Sequence, residues 1–186
     1  MASTRKQQIL DTAAELFAAR GFHGVSVHDI GAACGISGPA LYRHFASKDD
    51  VLTQTLVNIS QELLATGRAR ADAADDSVEA LSALIGWHID FALGNPALIV
   101  IQEREWTNLD AAGQGEVRAL QLAYIDIWVE KLLEVRPTYD HPTARAAVQA
   151  TFGLLNSTPH SARIGDAHMR ELLSELATSA LLRERV

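Results

Sequence analysis

Residues 24–52 read GVSVHDIGAACGISGPALYRHFASKDDVL, and from Ser37 through Tyr42, Arg43 and His44 to Lys48 they carry hydroxyl, phenol, guanidinium, imidazole and ammonium donors. That mixture suits a polyanion. An Arg fork takes two acceptors in one plane, hydroxyl and imidazole groups donate to phosphate oxygens, and a helix N-terminus turns backbone N–H groups toward the same charge. Acid–base and nucleophilic chemistry find no comparable set. The histidines are scattered, His88 and Asp90 fall on different helix faces, and no G-x-S-x-G, P-loop, H-E-x-x-H or Gly-rich dinucleotide turn is present. The chain does not read as an enzyme. The lone Cys34 excludes an intrachain disulfide and a Cys-rich zinc site; neither a metal nor a cofactor is expected.

A second group of residues has a different character. Trp87, Phe91, Trp106, Tyr124, Trp128 and Phe152 recur at helical spacing, with His88, Arg104 and Asn156 interspersed. Such a set predicts an apolar small-molecule site between helices, oriented by a few polar groups. Each aromatic taken singly also reads as core. His88 reads first as a core histidine with its partners satisfied, and Arg104, between Glu103 and Glu105, first as a surface ion pair.

The elements that must position these residues are helical throughout, since no alternating run between turn signals demands a strand. Thr4-x-x-Gln7 fits a capping box for the first helix, which Gly21 ends. Ser26 caps a short second helix with Asp29 at its positive end, Gly35 closes it, and Ser37 caps a third reaching about His44. Ser47 starts a fourth, to about Arg70, followed by the acidic turn ADAADDS. Further helices follow Ser77, Asn95-Pro96, a segment near Gly115 and Pro142, and the ninth covers about Asp166 to Arg183. Val25, Val27, Ile30, Ile36, Leu41 and Phe45 are spaced to pack the two short helices on the first. Ser37, Gly38, Pro39, Ala40, Tyr42, Arg43 and His44 then form the outward face of a helix-turn-helix, whose second helix can enter a DNA major groove. Ser26 joins this set at the neighbouring helix start.

Net charge sharpens the division of labour. The 186 residues carry a formal charge of −7, which argues against a generic nucleic-acid coat protein. Residues 1–50 are neutral, however, and the whole excess of acid lies in residues 51–186. No apolar stretch follows MASTRKQQIL, and no window reaches the roughly 18 apolar residues of a membrane span. A cytoplasmic protein without a membrane partner is expected.

Residues 24–52 resemble the hallmark of the TetR/AcrR family of one-component transcriptional repressors. Val27, Asp29, Ile30, Gly35, Ile36, Ser37, Leu41, Tyr42, His44, Phe45, Ser47, Lys48 and Asp49 stand in its places, with Gly31 where Ala is more usual, a departure expected to matter little. The resemblance implies an all-α, two-domain fold: a helix-turn-helix domain over residues 1–47, and a ligand-binding and dimerisation domain over 48–186 entered through the fourth helix. It implies a homodimeric repressor, released from a palindromic double-stranded DNA operator by a small-molecule effector. The last two long helices would pair with their twofold mates, using the small residues Ala146, Ala150 and Gly153 and the Leu172, Leu173, Leu176 and Ala180 stripe. EREWTNL, RALQLAYIDIWVEKLLEVRP and ATFGLLNSTPHSAR are similar to C-terminal halves of actinobacterial regulators of lipid and acyl-CoA catabolism, which implies an apolar or CoA-thioester effector. A drug-like effector, and a scaffold dimer that binds no DNA, are the alternatives.

Overall fold

Side-chain caps set most of the helix starts in the computed structural model, which describes residues 4–161 and 163–183. Helix α1 (Arg5–Arg20) begins where the Thr4 hydroxyl accepts the Gln7 N–H at 3.2 Å, and it stops at Gly21, whose φ of +73° admits no side chain without strain. Helix α2 (Val27–Ala33) starts in a reciprocal box. The Ser26 hydroxyl accepts the Asp29 N–H at 3.1 Å, and the Asp29 carboxylate accepts the Ser26 N–H at 2.8 Å. Helix α3 is one turn, Gly38–Leu41, and looser turns carry the chain on to His44. Helix α4 (Lys48–Asp72) repeats the capping chemistry, the Asp50 N–H donating to Ser47 Oγ at 3.0 Å. Asp76 caps α5 (Ser77–Gly94) through the N–H groups of Val78 and Glu79, one residue before the expected cap. Then come α6 (Pro96–Arg104), a 3₁₀ turn (Trp106–Asn108), α7 (Ala111–Val135), α8 (His141–Leu155), the one-turn α9 (Thr158–Ser161) and α10 (Asp166–Leu181). All nine expected helices are present, α9 is additional, and no strand occurs among the described residues.

The chain divides into two compact units. The first comprises Met1–Ser60 with Ala97–Arg118. Its core joins Ile9, Ala13 and Phe17 of α1 to Ile30, Leu41, Phe45, Leu52 and Leu56, with Ile101, Leu109 and Val117 closing it. Each fully buried side chain of this size contributes roughly 1.5–3 kcal/mol, enough in sum to hold two very short helices that could not persist alone. The elbow between them is tight: the Ile36 N–H bonds the Gly31 carbonyl at 2.9 Å, and a Cβ on Gly31 would stand 2.9 Å from the Ile36 oxygen. Contrary to the expectation that it matters little, Gly31 in place of Ala serves the close approach of this turn.

The second unit comprises Gln61–Pro96 with Ala119–Val186, and within it α5, α8 and α10 pack on one another. The compact units thus part elsewhere than at 47/48. Helices α4, α6 and α7 each run through a unit boundary, and residues 97–118 pack with the N-terminal core.

Candidate functional site

The α2–α3 elbow exposes the face that the sequence singled out. Leu41 and Phe45 are buried, while Ser37, Pro39, Tyr42, Arg43 and His44 are exposed and Gly38 and Ala40 half-buried; Tyr42 is 56% exposed. The reason is periodicity: with Leu41 locked into the core, residues one to three positions on must point away from it. Because Pro39 has no N–H and the Ala40 N–H already bonds the Ser37 carbonyl at 2.9 Å, this helix start presents few free backbone donors. The Ser37 hydroxyl makes no cap bond, so readout here falls to side chains.

Lys48, one of the donors the sequence offers to a polyanion, and the basic groups of Arg5 and Lys6 are engaged within the fold. Lys48 Nζ donates to the Phe22 and Val25 carbonyls, both at 2.9 Å, and sits 4.0 Å from the centre of the Phe22 ring. An ammonium at a helix N-terminus opposes the macrodipole; here two carbonyl oxygens compensate it. Arg5 reaches the Cys34 carbonyl at 2.7 Å, at the end of α2, and Lys6 lies 5.7 Å over the Phe45 ring. The Ser26 hydroxyl is spent in its box with Asp29, whose carboxyl those hydrogen bonds from Ser26 hold below its ordinary value.

In the second unit, His88 and Phe91 from α5, Tyr124 and Trp128 from α7, and Phe152 and Asn156 from the end of α8 come together. The His88 ring stacks on Phe152 at 4.6 Å and on Tyr124 at 5.9 Å, and meets Trp128 edge-on at 6.0 Å. His88 Nε2 lies 3.0 Å from Asn156 Oδ1, so this nitrogen carries the proton; Nδ1 is left as acceptor for the Tyr124 hydroxyl at 3.4 Å. Burial holds the imidazole neutral, its pKa lowered from 6.5 to about 4, against the opposing pull of Asn156. Burial likewise pushes the Tyr124 phenol upward. The fully buried Trp128 indole N–H meets no acceptor in good hydrogen-bond geometry, and its approach to the Tyr124 hydroxyl only partly offsets that upward push. The cluster is thus neutral, aromatic and short of one acceptor, and its rings pack directly on one another.

Other residues predicted for this site lie elsewhere. Trp87, one position from His88, points off the cluster: its indole N–H reaches the Leu63 carbonyl at 3.4 Å and Arg70 lies 5.2 Å over its ring. Arg104 and Trp106 belong to the first unit. Arg104 donates to the Ala18 carbonyl at 3.1 Å, pairs with the buried Glu105 at 4.0 Å and remains 53% exposed; the surface-pair reading is the one its contacts fit. Trp106 packs on the N-terminal core beneath Arg118. A groove of about 500 Å³ between Asp76–Val78 and Glu134–Arg136 holds none of the predicted residues. No group of three or more metal-ligating side chains occurs among the described residues, and none of the helices there is long and apolar enough to cross a membrane by itself.

On α8, Ala146, Ala150 and Gly153 are exposed, and a Cβ on Gly153 would meet nothing. On α10, Leu172 and Leu176 are 41% and 42% exposed and Ala180 is exposed. Leu173, expected with them, is buried in the unit's own core, because it lies one position round the helix from Leu172 and shares the inward face of Met169 and Ala177. One residue that the sequence did not single out, Gly67, and one whose partners it did not foretell, Lys48, prove important. Gly67 of α4 allows Tyr124 to approach, and the Lys48 ammonium holds a turn more than 20 positions back along the chain. Neither leaves a trace in periodicity, since both are set by long-range contact.

Comparison with known proteins is consistent across sequence and fold. Residues 9–55 match the family model "Bacterial regulatory proteins, tetR family". The transcriptional repressor KstR2 of Rhodococcus jostii is 32% identical over 109 residues, 59% of this chain and 53% of that protein; the chain spans about half the length of the curated relatives it matches. Among solved structures, a TetR-family regulator from Bordetella parapertussis superposes with a TM-score of 0.86 at 22% identity, covering 97% of this chain and 95% of that one. FadR from Bacillus subtilis, solved with stearoyl-CoA, gives 0.77 at 18% identity over 94% and 96%. These relatives are transcriptional regulators and not enzymes. The helix-turn-helix elbow thus carries the signature of the tetR family of bacterial regulatory proteins, and the helical fold is that of solved tetR-family regulators.

Proposed function

We propose that this chain is a homodimeric transcriptional repressor that docks its α3 face on a double-stranded DNA operator and is released by a small apolar effector. The observation that carries the reading is the exposure of Tyr42, Arg43 and His44 on a face whose reverse side, Leu41 and Phe45, is anchored in the core. Arg43 is the base reader, by two-pronged donation to guanine; Tyr42 and His44 meet phosphates or thymine methyls. Exposed Ala146, Ala150 and Gly153 beside Leu172, Leu176 and Ala180 support pairing of α8 and α10 with a second copy. A twofold dimer would set its two reading helices about one DNA turn, roughly 34 Å, apart.

The effector's place is the cluster of His88, Phe91, Tyr124, Trp128, Phe152 and Asn156, where the unpaired Trp128 N–H lacks an acceptor. Its rings must part to admit a ligand. A thioester or other apolar acyl compound fits that environment, and the stearoyl-CoA bound by FadR supports the class. Moving a population from 1:99 to 99:1 needs about 5.5 kcal/mol of preference for the released state. The test is to let the protein enrich duplexes from a random pool and then titrate Arg43→Ala and Tyr42→Ala. Each should weaken binding about 10- to 100-fold with unchanged far-ultraviolet circular dichroism. Wild-type affinity in both variants would reject the docking.

A further inference from the structure

Lys48 opens α4, the last place where a lone ammonium favours a helix, because its charge opposes the macrodipole. We infer that Lys48 is a positioning residue: it clamps the turn between α1 and α2 to the first turn of α4 and so sets the angle of the α2–α3 elbow, rather than gripping a DNA phosphate itself. This rests on the DNA-docking reading above and assigns its lysine a different task.

Three features carry it. First, two of the three ammonium N–H groups are spent on the Phe22 and Val25 carbonyls at 2.9 Å, and the charge rests 4.0 Å over the Phe22 ring, which is itself buried. Second, the clamped turn has little slack. Val25 N–H bonds the Phe22 carbonyl at 3.3 Å, and a Cβ on Gly24 would stand 2.4 Å from the Arg20 oxygen. Third, the turn leads straight into the reading face. Val25 adjoins Ser26, the cap of α2; α2 ends in the Gly31–Ile36 bond that closes the elbow; Leu41 then seats α3. A displaced Val25 would therefore be felt at Tyr42 and Arg43.

Two readouts separate positioning from phosphate contact in Lys48→Met, which keeps the stem and removes the charge. One is the salt dependence of affinity for duplexes enriched by the wild type. The other is hydrogen exchange at Val25 and Ile30, whose N–H groups bond the Phe22 and Ser26 carbonyls. Positioning predicts affinity lowered about tenfold at every salt concentration, a log–log slope within about 0.3 of the wild type, and faster exchange at both amides without DNA. A slope shallower by about 0.9, one phosphate's worth, with exchange unchanged would overturn the inference. So would a variant with wild-type affinity and exchange. Should Lys48→Met not fold, Lys48→Gln, which can still donate to one carbonyl, is read on the same criteria. If the wild type enriches no duplex, the docking reading fails, and exchange alone decides whether Lys48 holds the turn.

Discussion

Gly67 of α4 lies flat against the Tyr124 ring: a Cβ there would stand 2.4 Å from Tyr124 Cε2 and 3.4 Å from Leu84 Cδ2. Tyr124 cannot retreat easily, since it is buried, stacked with Phe152 at 5.6 Å and bonded to His88. Gly67→Ala should therefore destabilise the protein by about 1 kcal/mol, overpacking outweighing the gain in helix propensity. In a Tyr124→Leu background the same change should become neutral or stabilising. Denaturant titrations of the four proteins measure this coupling.

The buried His88 makes stability fall with acid. Its imidazole is neutral when folded, with a pKa of about 4, but takes a proton near 6.5 once unfolded. The unfolded chain thus binds more protons between these values, and stability is full above about pH 6.5, declines through the window and levels off below about pH 4. The loss from pH 7.5 to pH 5 should be about 2 kcal/mol. His88→Gln should remove that part of the pH dependence, which thermal melts at the two pH values will show. Equal slopes in both proteins would refute the assignment.

Ser26→Ala deletes the hydroxyl that caps α2 and frees Asp29. The expected cost is about 1 kcal/mol, a fall of roughly 2–4 °C in melting temperature. Because the hydroxyl is already engaged, the salt slope of DNA binding should stay as in the wild type.

Leu172→Glu combined with Leu176→Glu places two carboxylates on the exposed stripe of α10. Sedimentation should then report one chain where the wild type reports two, with helical content retained. Leu173→Glu, by contrast, should unfold the second unit, since Leu173 is buried.

Much of the fold was legible along the chain because its signals are local. Thr4, Ser26, Ser47, Gly21 and Gly35 mark helix ends through bonds reaching three or four residues, and Pro142 falls in the first turn of α8, which Asp140 caps one residue before His141. The acidic turn ended α4 as expected, although Asp76 and not Ser77 caps the next helix. The outward face of α3 was legible for the same reason, its orientation following from the spacing of Leu41 and Phe45. The aromatic set was only partly so. His88, Tyr124, Trp128 and Phe152 converge, whereas Trp87 and Trp106 share their chemistry but not their location.

By itself, then, the sequence determined the helices, the elbow and which of its residues face outward, because caps, glycines and apolar periodicity act within one or two turns. It also confined the excess of acid over base to the part beyond residue 50. Only the tertiary structure decided which partners the side chains take. It turned Lys48 onto two carbonyls, gave Arg5 to the end of α2, drew Arg104 onto Ala18 and buried Leu173 while leaving Leu172 exposed. The physical reason is reach. A long cationic side chain spans several ångströms and settles wherever an acceptor is brought near, and that acceptor's position is fixed by packing between segments distant in the chain.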